Sequence, residues 1–135
     1  GEKIDFDMGL DGHSDADVAL HALIDALLGA AALGDIGTLF PDSDPKYKGI
    51  SSMLLLKSAA QKVLDRFSVI NCDITIIAQK PRLSGYIPQM RSNISGVLGV
   101  LPGTVNVKAT TEEKLGFTGS LEGIAAHAVC SLMQK

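Results

Sequence analysis

The sequence lacks any apolar run approaching the roughly 20 residues needed to span a bilayer. Its nearest candidate, the Ala/Leu-rich stretch from Val18 to Leu33, is interrupted by His21 and Asp25 and reads better as a buried helix. An excess of basic charge is lacking too. Twelve Lys and Arg against 15 Asp and Glu give a formal charge of −3, which argues against a large nucleic-acid footprint but leaves room for local cations that hold a phosphate. Cysteine is scarce: Cys72 and Cys130 lie in apolar, strand-like runs without metal-ligand spacing, so both are expected as buried thiols in a reducing, cytoplasmic setting. No repeat, low-complexity tract, linker or signal peptide interrupts the chain, so residues 1–135 are expected to form a single domain. There is no initiator Met, and the opening Gly-Glu-Lys-Ile-Asp-Phe-Asp reads as part of a longer protein. With 46% hydrophobic and 20% charged residues, the chain has the composition of a globular domain with a real core.

Patterning supplies the elements. Lys3 to Met8 alternates apolar and charged residues, which predicts a short strand. Ser14 followed by Asp17 resembles a capping box, and Gly34 can stop the helix it opens, so the first helix is expected near 15–33. Turn formers and acids make 35–45 a loop. A second helix is predicted from Ser51 or Ser52 to about Phe67, and a buried β-branched strand from Val69 to Ala78. Pro88 suits the first turn of a third helix near 87–99, after which Val105 to Thr110 reads as a strand. The tail from Glu122 to Met133 fits either helix or strand and is taken as a strand. Strands alternating with helices predict an α/β or α+β sandwich with helices on one face.

Several side chains suit chemistry. Asp17, His21 and Asp25 recur every fourth residue and share one helix face, where a neutral imidazole can ligate zinc and a carboxylate can orient its second nitrogen. A packed, hydrogen-bonded His explains the same pattern, and one His falls short of the three protein ligands usual for catalytic zinc. Asp11-Gly-His13 looks like a second ligand pair, although His13 near a helix N-terminus would also welcome an anion. Asp35, Asp42 and Asp44 could bind a cation or sugar hydroxyls, or simply cap turns. Lys80 and Arg82 leave a strand end as a plausible phosphate edge, or serve only solubility. Lys108 to Gly119 places hydroxyls, carboxylates and Lys114 after a strand, a composition suited to a phosphate–Mg²⁺ site. His127, in an apolar run, is expected in the core.

Taken in order, four motifs are more specific than any one of them. His-Ser-Asp-x-Asp-Val-Ala-Leu-His-Ala-Leu-x-Asp-Ala-Leu-Leu-Gly-Ala, then Gly-Asp-Ile-Gly-x-Leu-Phe-Pro-Asp-x-Asp, then Ile-Ile-Ala-Gln-x-Pro, then Val-Lys-Ala-Thr-Thr-x-Glu-Lys-Leu-Gly-Phe-Thr-Gly run along the chain. Together they resemble the 2-C-methyl-D-erythritol 2,4-cyclodiphosphate synthase family of non-mevalonate isoprenoid biosynthesis, across essentially the whole chain. The resemblance implies an α+β fold with a four-stranded mixed sheet, helices on one face, and a homotrimer with active sites between subunits. The implied reaction is cyclisation of 4-diphosphocytidyl-2-C-methyl-D-erythritol 2-phosphate with release of CMP, by a metal-dependent phosphorus–oxygen lyase using Zn²⁺ and Mg²⁺ (or Mn²⁺).

Residue by residue, the same resemblance makes His21 a zinc ligand and Asp11-Gly-His13 a decoy, because the family's Asp-x-His pair would lie on a strand preceding Gly1. His13 and Ser14 match the pair that holds the substrate phosphate, with His13 and Thr111 as transition-state contacts. Asp35, Ile36 and Gly37, with Phe40, Pro41, Asp42, Ser43 and Asp44, match the segment that receives the methylerythritol part. Ala78, Gln79, Lys80, Pro81, Arg82, Leu83 and Ser84 match the cytidine loop supplied by a neighbouring subunit. Thr110, Thr111, Glu112 and Glu113 match the diphosphate site, with Glu113 as the Mg²⁺ ligand and Phe117 as a further substrate contact.

Three positions depart from the pattern: Ser120 replaces a common Arg, Arg82 a common Lys, and Glu112 a common Thr. A fused or associated cytidylyltransferase is expected as a partner. Two other readings use the same residues: a metal-dependent phosphohydrolase releasing inorganic phosphate, and a trimeric protein holding a prenyl diphosphate in an apolar axis.

Overall fold

Apolar and β-branched residues dominate from Val69 to Ala78, alternating with polar ones over Asn71 to Ile76. In the computed structural model, which describes residues 1–135, this run forms most of β1 (Phe67–Ile77). β1 is the central strand. On one side it pairs in parallel with β2 (Val105–Thr110), and on the other antiparallel with β3 (Ala125–Gln134). The inward row of Val69, Cys72, Ile74 and Ile76 joins Val105 and Val107 in the core. A register irregularity between Val69 and Asn71 adjusts the parity, so that Val69 and Cys72 are both buried.

The helices cover that inward face. α1 (Val18–Ala30) packs on β3 and β1, α3 (Ser52–Leu64) on α1 and β1, and α4 (Ile87–Leu98) on β2 and α3. Leu20, Leu23, Ile24, Leu27 and Leu28 form the stripe that α1 buries, each at most 1% exposed. Their spacing is that of a helix with one apolar face, and full burial stabilises each by about 1.5–3 kcal/mol. The opposite face of the sheet carries no helix. Asp73, Thr75, Asn106, Lys108, His127 and Val129 lie on it, where Asp73 accepts hydrogen bonds from the Lys108 ammonium and from Asn106 at 2.9 Å.

The predicted elements are present, with five differences. Lys3 to Met8 is not a strand: it makes no sheet pairing, and the sheet has three strands instead of four. Alternation describes any extended segment that buries one side, and here Ile4 does so without a ladder partner. α1 begins at Val18, capped by the Asp17 carboxylate on the Leu20 amide at 3.0 Å. Ala16 sits at φ +55°, which breaks any helix starting at Ser14 or Asp15. α3 stops at Leu64 because Phe67 already belongs to β1. The loop at 35–45 contains a one-turn helix, α2 (Ile36–Leu39), capped by Asp35, and a 3₁₀ turn over Pro45–Tyr47 capped by Asp44.

The fifth difference is His127. It is exposed on the uncovered sheet face instead of lying in the core. Cys72 is buried as expected, whereas Cys130 is half-buried. The two are register partners on β1 and β3, with sulfurs 3.4 Å apart and no disulfide between them. The bond that Cys130 donates lowers the Cys72 thiol's pKa and, with burial, raises that of Cys130.

Leu27→Ala should lower the unfolding free energy by about 2–5 kcal/mol in urea titration, because its site is enclosed on all sides. A loss under about 1 kcal/mol would contradict the packing of α1 described above.

Candidate active site

A tight turn precedes α1, and it carries the densest cluster of polar side chains. The His13 carbonyl accepts from the Gly49 amide at 2.8 Å, and the Asp15 amide donates to the Ile50 carbonyl at 3.2 Å, so segment 13–15 is tied to the approach of α3. Asp15 accepts the Ser52 amide at 2.9 Å and the Ser52 hydroxyl as well. One turn into α1, His21 Nε2 lies 2.9 Å from Ser52 Oγ and 3.1 Å from Ser14 Oγ. Asp25, two turns in, accepts the Ile36 amide at 2.7 Å and so holds the start of α2. The three polar residues on this face of α1 therefore have distinct tasks: Asp17 caps α1, His21 meets two serines, and Asp25 anchors the next element.

These elements enclose a cavity of about 450 Å³ whose lining includes His13, Ser14, His21, Ile36, Gly37, Phe40 and Asp42. That size is typical of small-molecule sites. Phe40 is buried and meets Tyr47 edge to face at 5.3 Å, giving the cavity an aromatic wall. His13 Nε2 is the one buried side-chain nitrogen or oxygen in the chain with no hydrogen-bond partner. A buried polar atom left unpaired beside a cavity is a place for a ligand oxygen to bind.

Not every predicted contact reaches this cavity. Asp35 is exposed, and its carboxylate caps α2 through the Thr38 amide at 2.7 Å, which holds its pKa below the usual carboxylate value. Asp44 caps the 3₁₀ turn through the Lys46 amide at 3.1 Å and pairs with the Lys46 ammonium at 3.4 Å. Pro41 and Ser43 are exposed. Asp11 does line the cavity, alongside Tyr47 and Ile50.

The second predicted group lies elsewhere. β1 and β2 are parallel neighbours that end together at the pair Ile77 and Thr110, and the Ala78 amide donates to the Thr110 carbonyl at 3.0 Å. Loops 78–84 and 110–114 therefore leave adjacent strand ends, the usual place for ligands in such sheets. The Lys114 amide donates to Gln79 Oε1 at 3.0 Å, and the Glu113 amide to Thr111 Oγ1 at 3.3 Å. Glu113 and Lys114 both adopt left-handed backbone, with φ of +54° and +67°. Gly119 permits this turn, because a Cβ there would come within 2.3 Å of the Lys114 carbonyl carbon.

Thr110, Thr111, Glu112, Glu113 and Phe117 are exposed, and no hydrogen bond engages the Glu113 carboxylate. Lys80, Arg82 and Ser84 are exposed, Gln79 and Pro81 half-buried, and Ala78 and Leu83 buried. None of the residues 78–84 or 110–113 lines the cavity that holds His13 and His21.

A neutral imidazole with hydroxyl partners on one nitrogen fits a single zinc ligand. Within the chain, however, no three His, Cys, Asp or Glu residues come together as a metal site, so His21 fits as one ligand and not as part of a complete set. Ser52 is the site residue that sequence reasoning treated only as a possible cap. Its signal was the Ser51-Ser52 doublet, in which only one hydroxyl can cap: Ser51 does so, and Ser52 is fully buried.

Comparison with known proteins decides the kinship. The model of the YgbB family matches residues 1–133. The chain belongs to the YgbB family. It is 59% identical over 133 residues to the 2-C-methyl-D-erythritol 2,4-cyclodiphosphate synthase of Lachnospira eligens, covering 98% of this chain and 73% of that protein. Among solved structures, the bifunctional IspDF of Campylobacter jejuni superposes with a TM-score of 0.95 at 49% identity, covering all of this chain but 37% of that one. The IspF–CDP complex of Plasmodium falciparum gives a TM-score of 0.80 at 35% identity, covering 92% of this chain and 75% of that one. The YgbB domain thus spans about a third of a bifunctional relative and about three quarters of single-function ones.

Asp15 yields a pH prediction. Burial, the largest single influence, pushes its pKa up, but hydrogen bonds from the Ser52 hydroxyl, the Ser52 amide and the Asp17 amide together hold it below the usual 3.8. The stabilisation from this clamp should be complete above pH 3.8 and disappear as pH falls through the lower folded-state value. Carboxyl-carbon NMR should show Asp15 titrating below 3.8. An ordinary or raised value would contradict the clamp.

Proposed function

We propose that this chain carries the cyclodiphosphate synthase activity for which its relatives are named. The reaction is the conversion of 4-diphosphocytidyl-2-C-methyl-D-erythritol 2-phosphate to 2-C-methyl-D-erythritol 2,4-cyclodiphosphate and CMP. The observation that carries this reading is the unpartnered His13 Nε2 beside His21 in one cavity of a YgbB-family chain. The CDP bound by the Plasmodium falciparum neighbour supports a cytidine diphosphate ligand.

In the reaction a 2-phosphate oxygen forms a bond to the β-phosphorus, and the bond from that phosphorus to the α–β bridging oxygen breaks, releasing CMP. Both phosphates are anionic, so the site must hold them together against repulsion. His13 and Ser14 would bind the phosphate that reaches the cavity floor, and Phe40 and Ile36 would pack the methylerythritol chain. Loop 78–84 would hold cytidine largely through its backbone, while Thr110 and Thr111 donate hydroxyls to the diphosphate. When bound, Zn²⁺ at His21 and Mg²⁺ or Mn²⁺ at Glu113 would supply positive charge for the β-phosphate and the leaving group. Holding a flexible substrate in the ring-closing geometry is worth up to about 7–11 kcal/mol, and no protein nucleophile is needed.

A homotrimer accounts for the separation of the two residue groups, because a neighbouring copy could bring its 78–84 and 110–113 loops against the His13 cavity. The helix-free sheet face, with Val129 69% exposed and Met133 58% exposed, supports such an assembly. A fused or associated cytidylyltransferase, which would make the substrate, is in keeping with the bifunctional Campylobacter jejuni neighbour.

Phosphorus NMR on the full natural protein with substrate, Zn²⁺ and Mg²⁺ should show the coupled cyclic diphosphate pair together with CMP. Inorganic phosphate in its place would overturn the cyclase in favour of a phosphohydrolase. His13→Ala should lower kcat by about 10²–10³, the usual cost of removing one preorganised donor. Glu113→Gln should chiefly raise the Mg²⁺ concentration needed for half-maximal rate, and an unchanged Mg²⁺ titration would count against its role.

A further inference from the structure

The protons around His21 can be assigned one by one. Asp15, as a carboxylate, can only accept hydrogen bonds. It takes the Ser52 amide on one oxygen at 2.9 Å and the Ser52 hydroxyl on the other. A hydroxyl has one proton, and that of Ser52 is committed to Asp15, so toward His21 the Ser52 oxygen offers only lone pairs. At 2.9 Å from that oxygen, His21 Nε2 must be the atom carrying the proton. Ser14 Oγ, at 3.1 Å, shares the same N–H as a second acceptor. Ser52 is fully buried, so water does not compete for its oxygen.

The other ring nitrogen is then defined. No hydrogen bond within the chain engages His21 Nδ1, and since the only buried unpartnered side-chain nitrogen or oxygen is Nε2 of His13, Nδ1 is open to solvent. In a neutral ring protonated at Nε2, Nδ1 holds the free electron pair.

We propose that Asp15 and Ser52 are positioning residues that fix His21 in its Nε2-protonated tautomer and so assign Nδ1 as the nitrogen that binds the divalent metal. The metal half of this rests on the zinc role given to His21 above; the tautomer half does not. The relay spans three elements: Asp15 from the turn before α1, Ser52 from the first residue of α3, and His21 from α1. It would preset a ligand's orientation before any metal arrives, as hydrogen-bonded partners of metal-binding histidines generally do.

The test uses the full natural protein, metal-free, labelled with ¹⁵N in histidine, at a pH where the ring is neutral. Long-range proton–nitrogen correlation should show His21, assigned by its loss in His21→Gln, as the Nε2–H tautomer. Ser52→Ala should mix the tautomers and weaken zinc binding about 10–100-fold by chelator competition. Asp15→Asn, which keeps the side chain's size but removes the charge that fixes the Ser52 proton, should act in the same direction in protein whose circular dichroism shows it folded, and Ser52→Thr should restore both readouts. An Nδ1–H tautomer in the wild type, or an unchanged tautomer and zinc affinity in both Ser52→Ala and Asp15→Asn, would overturn the relay. The expected tautomer without zinc uptake by the wild type would overturn the metal role alone.

Discussion

The apolar stripe of α1, pressed on β1 and β3, places the constraint from which the site follows. Five side chains from Leu20 to Leu28 are removed from water, so α1 can take only one rotation about its axis. Once that rotation is set, Asp17, His21 and Asp25 must emerge together on the flank that faces α2 and the start of α3. None of the three is left idle: each meets a backbone amide or hydroxyl that its own geometry can reach. Apolar burial supplies the energy, and the polar residues on its flank use the resulting rigidity.

Rigidity matters because the reaction proposed for this chain is mainly a positioning problem. Two anionic groups of one flexible molecule must be held in contact, and an error of an ångström is costly. His13 and His21 stand on or beside a buried helix, while loops 78–84 and 110–114 hang from the ends of paired strands and are pinned to each other by Gln79. Loops bind and the scaffold holds them, a division common to α/β sites. The separation of the two groups within one chain, and the sheet face left without helices, are two aspects of the same arrangement if neighbouring copies meet there.

Much of this was legible from local pattern. Helical periodicity placed α1, α3 and α4, and β-branched content placed β1 and β2, whereas the tail that forms β3 fitted helix and strand alike; Pro88 and the segment ending at Gly99, whose φ is +66°, bounded α4 as expected. Local pattern failed where two residues competed for one task. Ser14 and Asp17 both suit an N-cap, and Asp17 takes it while Ser14 turns to His21. Lys3 to Met8 alternates like a strand, but a ladder needs a neighbour and it has none. His127 lies in a run apolar at almost every position, so periodicity could not say which face it occupies.

By itself the sequence determined the order of elements, the apolar face of each, and the residue types available for chemistry, because periodicity, capping and turn preference act over a few neighbouring residues. Tertiary structure alone decided which of those residues meet. Ser52 joins His21 across 31 residues of chain, and the Ala78 and Thr110 strand ends come together because β1 and β2 are parallel. Such contacts depend on how helices and strands pack, and packing is settled by the whole core at once.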